Sequence, residues 1–212
     1  MSHIFDWLFA QYQDIPTYLV VLEMIGVIFT ILSVWYSKRE NILVYPTGLV
    51  ATGIYVYILL EFSLLGDMLI NAYYFVMSLI GWYLWTRKVD ETHFIPITKT
   101  TLKEKQWSAL FFISAIIFVF LVYYAFDKYN TWTAYVDTIT TAIFFVGMWL
   151  MAKKKLENWI YWIIGDIITV PLYWYKGLIF SSILFAVLTI IAIYGYKAWK
   201  KNLNKSPQTL LR

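Results

Sequence analysis

Seven stretches of mostly apolar residues recur along this 212-residue chain. Each is close to the roughly 20 residues a helix needs to cross the ~30 Å hydrocarbon layer of a bilayer. They lie near 18–36, 42–60, 67–86, 107–126, 135–152, 159–175 and 178–197, the sixth being short. Backbone groups in lipid must be bonded within the protein, and the alternation of a membrane β-barrel is absent, so the chain is predicted to be all helical. With 61% hydrophobic and only 14% charged residues it is too apolar for one soluble domain, and the lipid bilayer is its expected solvent.

The basic residues give an orientation. If the N-terminus defines one side, the loops there (1–17, 61–66, 127–134 and 176–177) hold only Lys128 and Lys176 of the 17 Lys and Arg. The opposite side holds the other 15, in groups around Lys38, Arg87, Lys153 and Lys197. The positive-inside rule then places the N-terminus outside and the C-terminus in the cytoplasm. The net charge of +4 is a topological signal, and no nucleic-acid partner is expected. Cys is absent and His3 and His93 lie outside every span, so no disulfide, thiolate chemistry, metal or cofactor is expected. Met1 to Thr17 lacks a basic n-region. It is expected to stay attached as an interfacial segment presenting Ile4, Phe5, Leu8 and Phe9.

Segments one to three can be laid over segments five to seven. At an offset of 114, Glu23 meets Asp137, Trp35 meets Trp149, Gly81 meets Gly195 and Trp85 meets Trp199. The second segment is fitted at 117, where Tyr45 meets Trp162 and Gly48 meets Gly165, as a longer Ala152 to Leu156 turn and a shorter outer turn would give. Two parallel three-helix repeats joined by one linking helix follow, a plan that places substrate between the halves near mid-depth. The expected organisation is an interfacial segment (1–17), first repeat (18–86), cytoplasmic loop (87–106), linker helix (107–126), outer loop (127–134), second repeat (135–199) and cytoplasmic tail (200–212).

A charge at the bilayer centre costs at least ~2.5–3.5 kcal/mol and persists where function or a partner compensates it. Asp166 sits near the middle of segment six, with Trp162, Thr169 and Tyr173 on its stripe. Segment five shows Asp137, Thr140, Thr141 and Phe144, segment three shows Asp67, Asn71, Tyr74 and Ser78, and segment one shows Glu23, Thr30 and Ser33. Four such stripes predict one wet cavity, with segment seven facing lipid or a neighbouring subunit. Thr30, Ser33 and Thr52 also have a plain structural use, bonding to their own helix backbone. Asp67 has one as a helix N-cap. Carboxylates, hydroxyls and aromatic faces without a basic residue suit a flat cationic ring carrying a polyol and reject a phosphate. Trp162, Tyr74, Tyr173 and Trp174 are the candidate stacking groups, and Asp137, Asp166 and Asn71 the candidate acceptors.

The run Glu157-Asn158-Trp159 with Trp162 and Asp166, the Tyr173 and Lys176-Gly177-Leu178 that follow, and the Gly81-Trp82-Tyr83-Leu84-Trp85 and Gly195 to Trp199 helix ends carry a resemblance. From about Glu23 to Lys201 the chain resembles the PnuC family of vitamin transporters, specifically the nicotinamide riboside carriers. The resemblance implies a seven-helix, three-plus-one-plus-three fold related to the SWEET proteins, in a bacterial inner membrane and assembled as a homotrimer. It implies import of dephosphorylated nicotinamide riboside by facilitated diffusion, with a cytoplasmic kinase trapping the product. It adds Asn158 to the candidate site, beside Thr141 and Glu23, and matches Asn71 to the family's polar position in segment three. Pro46 and Pro171 do not align under the repeat, so the matched SWEET-type prolines are not reproduced, and Pro171 alone is the candidate flexing point.

Two other readings fit parts of the chain. Tyr135-Val136-Asp137 and Gly165-Asp166 are similar to the paired signatures of intramembrane aspartyl proteases, although Val136 intrudes and Ile163 takes a glycine position. A proton-coupled carrier of another B vitamin, relaying through Asp166 or Glu23, is the other.

Overall fold

The computed structural model describes residues 15–62, 64–88 and 95–209, and the interfacial segment expected before them lies outside this range. Seven helices follow in order: α1 (Thr17–Lys38), α2 (Val44–Glu61), α3 (Leu65–Thr86), α4 (Leu102–Ala125), α5 (Trp132–Ala152), α6 (Asn158–Tyr175) and α7 (Ile179–Thr209). Six are long and apolar enough to span a bilayer. The exception is α6, whose 18 residues include Asn158, Asp166 and Pro171. Large apolar side chains such as Met24, Ile28, Val76, Ile117 and Ile190 are exposed around the bundle, as lipid contact requires. The helix α7 runs on past the apolar stretch to Thr209.

Packing closes six helices into a ring. In order α1 touches α2, α2 touches α3, α3 touches α5, α5 touches α6, α6 touches α7, and α7 returns to α1. The remaining helix, α4, lies against α5 and meets α3 at a few places. It starts at a capping box in which Thr101 Oγ1 accepts from the Glu104 N–H and the Glu104 carboxylate accepts from the Thr101 N–H, which places its first turn several residues before the apolar run. An apolar cluster that includes Ile70, Val119, Val122, Ala142 and Phe145 fixes α4 to α3 and α5.

The two halves share their backbone turns residue for residue at one spacing of 114. Glu40 N–H bonds Ser37 O and Lys154 N–H bonds Met151 O; Asn41 bonds Tyr36 and Lys155 bonds Leu150; at the far end Leu64 bonds Leu59 and Leu178 bonds Tyr173. Glu40 and Lys154 both have positive φ, at 55° and 52°. The α1–α2 and α5–α6 turns therefore have the same length, and so do the turns after α2 and α6. The offset of 117 for the second segment is corrected to 114, which pairs Tyr45 with Trp159 and Gly48 with Trp162.

That pairing explains a buried apolar cluster at the end where Lys38, Arg39 and Lys153 to Lys155 lie. Tyr45 packs edge-on against Trp85 with centroids 5.2 Å apart, and Trp159 packs edge-on against Trp199 at 5.5 Å. Each needs a glycine opposite, because a Cβ on Gly81 would overlap the Tyr45 ring and one on Gly195 would overlap the Trp159 ring. Trp85 Nε1 donates to Met151 O at 3.2 Å and Trp199 Nε1 donates to Ser37 O at 2.9 Å, acceptors that are themselves 114 residues apart.

The α3–α4 connection is pinned to this end. Thr98 exchanges backbone bonds with Lys154 and Leu156, Ile97 is buried, and Lys155 pairs with Glu104 at 2.7 Å. The Glu157 carboxylate accepts from the Thr100 N–H, and the Asn158 amide donates to Lys155 O. The first two residues of the Glu-Asn-Trp run thus build a turn.

Candidate functional site: a central cavity

A cavity of about 490 Å³, within the range for small-molecule sites, occupies the middle of the ring and takes lining residues from all six ring helices and Tyr123 of α4. The stripe on α6 faces it whole, through Trp162, Asp166, Thr169 and Tyr173. So do Asp137, Thr140, Thr141 and Phe144 of α5, and Asp67, Asn71, Tyr74 and Ser78 of α3. From α1, Thr30 and Ser33 line it.

Three of the expected site residues stand elsewhere. Asn158 is fully buried as the first residue of α6, Trp174 is 58% exposed one position off the lining stripe, and Glu23 lies on α1 outside the lining. The helical period accounts for Trp174, since its neighbour Tyr173 points inward. Two helices were missed as contributors. Tyr45, Gly48, Thr52 and Tyr55 of α2 follow helical spacing, which was a legible signal. The α7 face of Ser181, Leu184, Phe185, Leu188 and Ala192 was not, because its residues are mostly as apolar as a lipid-facing stripe. Instead of facing outward, that stripe closes the cavity.

One side of the cavity is an aromatic wall. Trp162 stacks on Phe144 with centroids 5.4 Å apart and 27° between planes, Phe144 stacks on Phe185 at 5.9 Å, and Tyr173 meets Phe185 edge-on. Gly165 makes this possible, since a Cβ there would overlap the Phe144 ring. Several hydroxyls are spent locally: Thr30, Thr52, Ser78, Thr140 and Thr169 bond carbonyls of their own helices, and Ser33 reaches across to Val44 O at 2.7 Å. The Asn71 amide donates to Asp67 O and leaves its carbonyl oxygen for the cavity.

The three lining carboxylates differ. Asp67 pairs with Lys128 at 2.8 Å and Asp137 pairs with Lys176, both at the end away from the lysine-rich turns. Asp67 caps nothing, as α3 begins after Leu64 without a side-chain cap. Asp166 is 3% exposed and has no ion pair or hydrogen bond among the described residues, and no Lys or Arg lines the cavity. It is the one of the three lining carboxyl groups without a basic partner among the described residues.

Membrane-length helices ringed around a polar and aromatic chamber make a small-molecule membrane transporter. The chain matches the profile of the family described as nicotinamide mononucleotide transporter over residues 20–201, and it belongs to that family. It is 24% identical over 209 residues to the nicotinamide riboside transporter PnuC of Escherichia coli, covering 84% of each chain. To the riboflavin/roseoflavin transporter RibM of Streptomyces davaonensis it is 22% identical, covering 92% of each. The fold is that of a crystal structure of the vitamin B3 transporter PnuC, with a TM-score of 0.68 and 20% identity over 93% of this chain and 86% of that one. The protein is a multi-pass membrane transporter and not an enzyme. The aspartyl protease reading falls with this, and Asp137 is held by Lys176 rather than sharing a proton with Asp166.

Proposed function

We propose that this transporter imports nicotinamide riboside, the dephosphorylated cationic nucleoside, by facilitated diffusion. The observation that supports this most directly is Asp166: a buried carboxylate without a protein counter-ion, beside the Trp162 and Phe144 faces, in a chamber without a basic lining residue. A pyridinium ring supplies the missing positive charge, and the aromatic wall takes its face. Asn71 and Asp137 accept hydrogen bonds from ribose or carboxamide, with Tyr74, Tyr173 and Thr141 completing the pocket. A phosphate in the chamber would meet acidic groups, and the two rim lysines, Lys128 and Lys176, are already paired with Asp67 and Asp137.

The helices act as two parallel three-helix repeats, α1–α3 and α5–α7, joined by α4, and they rock about the ligand to give alternating access. Pro171, which leaves one α6 carbonyl without its usual donor, is the flexing point. The N-terminus is outside the inner membrane and the lysine-rich turns and C-terminus are cytoplasmic. The working unit is a homotrimer, and a cytoplasmic kinase traps the riboside after entry. Purified protein in liposomes should equilibrate labelled riboside down its own gradient at a rate unaffected by collapsing the proton gradient. A rate that falls with the proton gradient would establish the proton-coupled alternative instead.

A further inference from the structure

The two ends of the cavity differ in burial. At the lysine-rich end its floor is a plug in which Ser37, Tyr45, Trp85, Met151, Trp159 and Trp199 are each no more than 8% exposed. At the other end the Asp67 and Asp137 side chains keep 32% and 14% exposure. The plug has matched halves. Trp85 of α3 bonds to the end of its ring neighbour α5, and Trp199 of α7 bonds to the end of its neighbour α1, each across a seam between the halves. Where those two helix ends meet, the Ser37 hydroxyl contacts Met151 Sδ at 3.4 Å, a pairing of equivalent positions. The plug also holds two equivalent orphans: Tyr45 Oη and Trp159 Nε1 are buried and find no partner among the described residues.

We propose that this plug is the inner gate of the transporter, locked by the crossed indole bonds of Trp85 and Trp199 and sprung by the unpartnered Tyr45 hydroxyl and Trp159 indole N–H. In the closed gate three polar hydrogens, the two indole N–H groups and the Ser37 hydroxyl, are satisfied between the halves, while Tyr45 Oη and Trp159 Nε1 go without. Separating α1 from α7 and α3 from α5 at this end breaks those bonds and lets water reach the two orphans, so part of the loss on opening is offset by groups that gain a partner. That offset narrows the bias towards the closed state, which a carrier working near equilibrium needs. The symmetry also couples the two bonds, because parting Ser37 from Met151 strains both. This inference rests on alternating access between the two halves.

The chain contains no Cys, so one introduced thiol reports on access without background. Ser78→Cys places it on the cavity wall. It is labelled with an impermeant maleimide in membrane vesicles of either orientation, a C-terminal tag marking which end faces out. No ligand is added, so failure of the unaltered protein to carry riboside would remove the substrate reading and leave this test standing. Trp85→Phe with Trp199→Phe should raise labelling from the lysine-rich end about tenfold with no rise from the other end, the sign of a shifted equilibrium. Tyr45→Phe, which deletes an orphan, should slow labelling from the lysine-rich end. Unchanged labelling in the double variant, or faster labelling from both ends, would overturn the proposal. Should the double variant not fold, Tyr45→Phe decides alone, and unchanged or faster labelling from the lysine-rich end would overturn it.

Discussion

Glu40 and Lys154 stand 114 residues apart at the same left-handed position of two matching turns, and their side chains meet each other, with Lys154 Nζ 3.8 Å from the Glu40 carboxylate. Burial lowers the Lys154 pKa, and Glu40 pushes it back up. The ammonium also lies 4.5 Å from the Trp85 ring centre, against the aromatic plug.

This asymmetry of burial makes the two partners unequal to mutation. Lys154→Met removes a desolvated cation and leaves Glu40 its bond from the Asn202 amide, so stability should stay within about 1 kcal/mol of the parent. Glu40→Gln strands the ammonium in a mostly buried site and should cost more. Thermal unfolding of the two variants in detergent checks the order.

Gly81 and Gly195 should behave as equivalents. Replacing either by Ala drives a methyl group into the facing ring and should destabilise by about 1–3 kcal/mol. Gly53→Ala, whose new methyl would sit 3.7 Å from Phe75, is the control and should be neutral or mildly stabilising. Melting temperatures of the three variants are the readout.

Much of the bundle was legible in the chain because lipid imposes one rule on every helix: span length in apolar residues. The polar stripes of α3, α5 and α6 were legible for the same reason, since Asn71, Asp137 and Asp166 stand out in apolar segments, where charged and amide groups are costly. The α7 lining was not, because Leu184 and Leu188 look the same whether they meet a cavity or a lipid tail. The turn offset failed in a similar way. Gly48 and Gly165 match as letters, but Gly48 answers to Trp162 by position, and only the hydrogen bonds of the turns reveal that.

Asp166→Asn separates binding from stability. The substitution removes an unpaired buried charge, so melting temperature should hold or rise, while riboside affinity should fall about tenfold or more. Trp162→Ala should lose affinity by a similar factor through the missing ring face, and Trp174→Ala, outside the lining, should leave it unchanged. Calorimetric titration of each variant tests this.

The rim pair Asp137 and Lys176 calls for a double-mutant cycle. Lys176→Gln should lower stability, and by about 1 kcal/mol less when Asp137→Asn is already present, because the unpaired carboxylate is then gone. Additive effects would mean that the two groups are not coupled.

The central claim, that the chamber accepts a cationic nucleoside and has nothing to hold a phosphate, is tested most directly by titrating the purified protein with nicotinamide riboside and with its 5′-monophosphate under identical conditions. The riboside is expected to bind at least about 100-fold more tightly, or ~2.7 kcal/mol. Equal affinity, or a preference for the mononucleotide, would contradict the account.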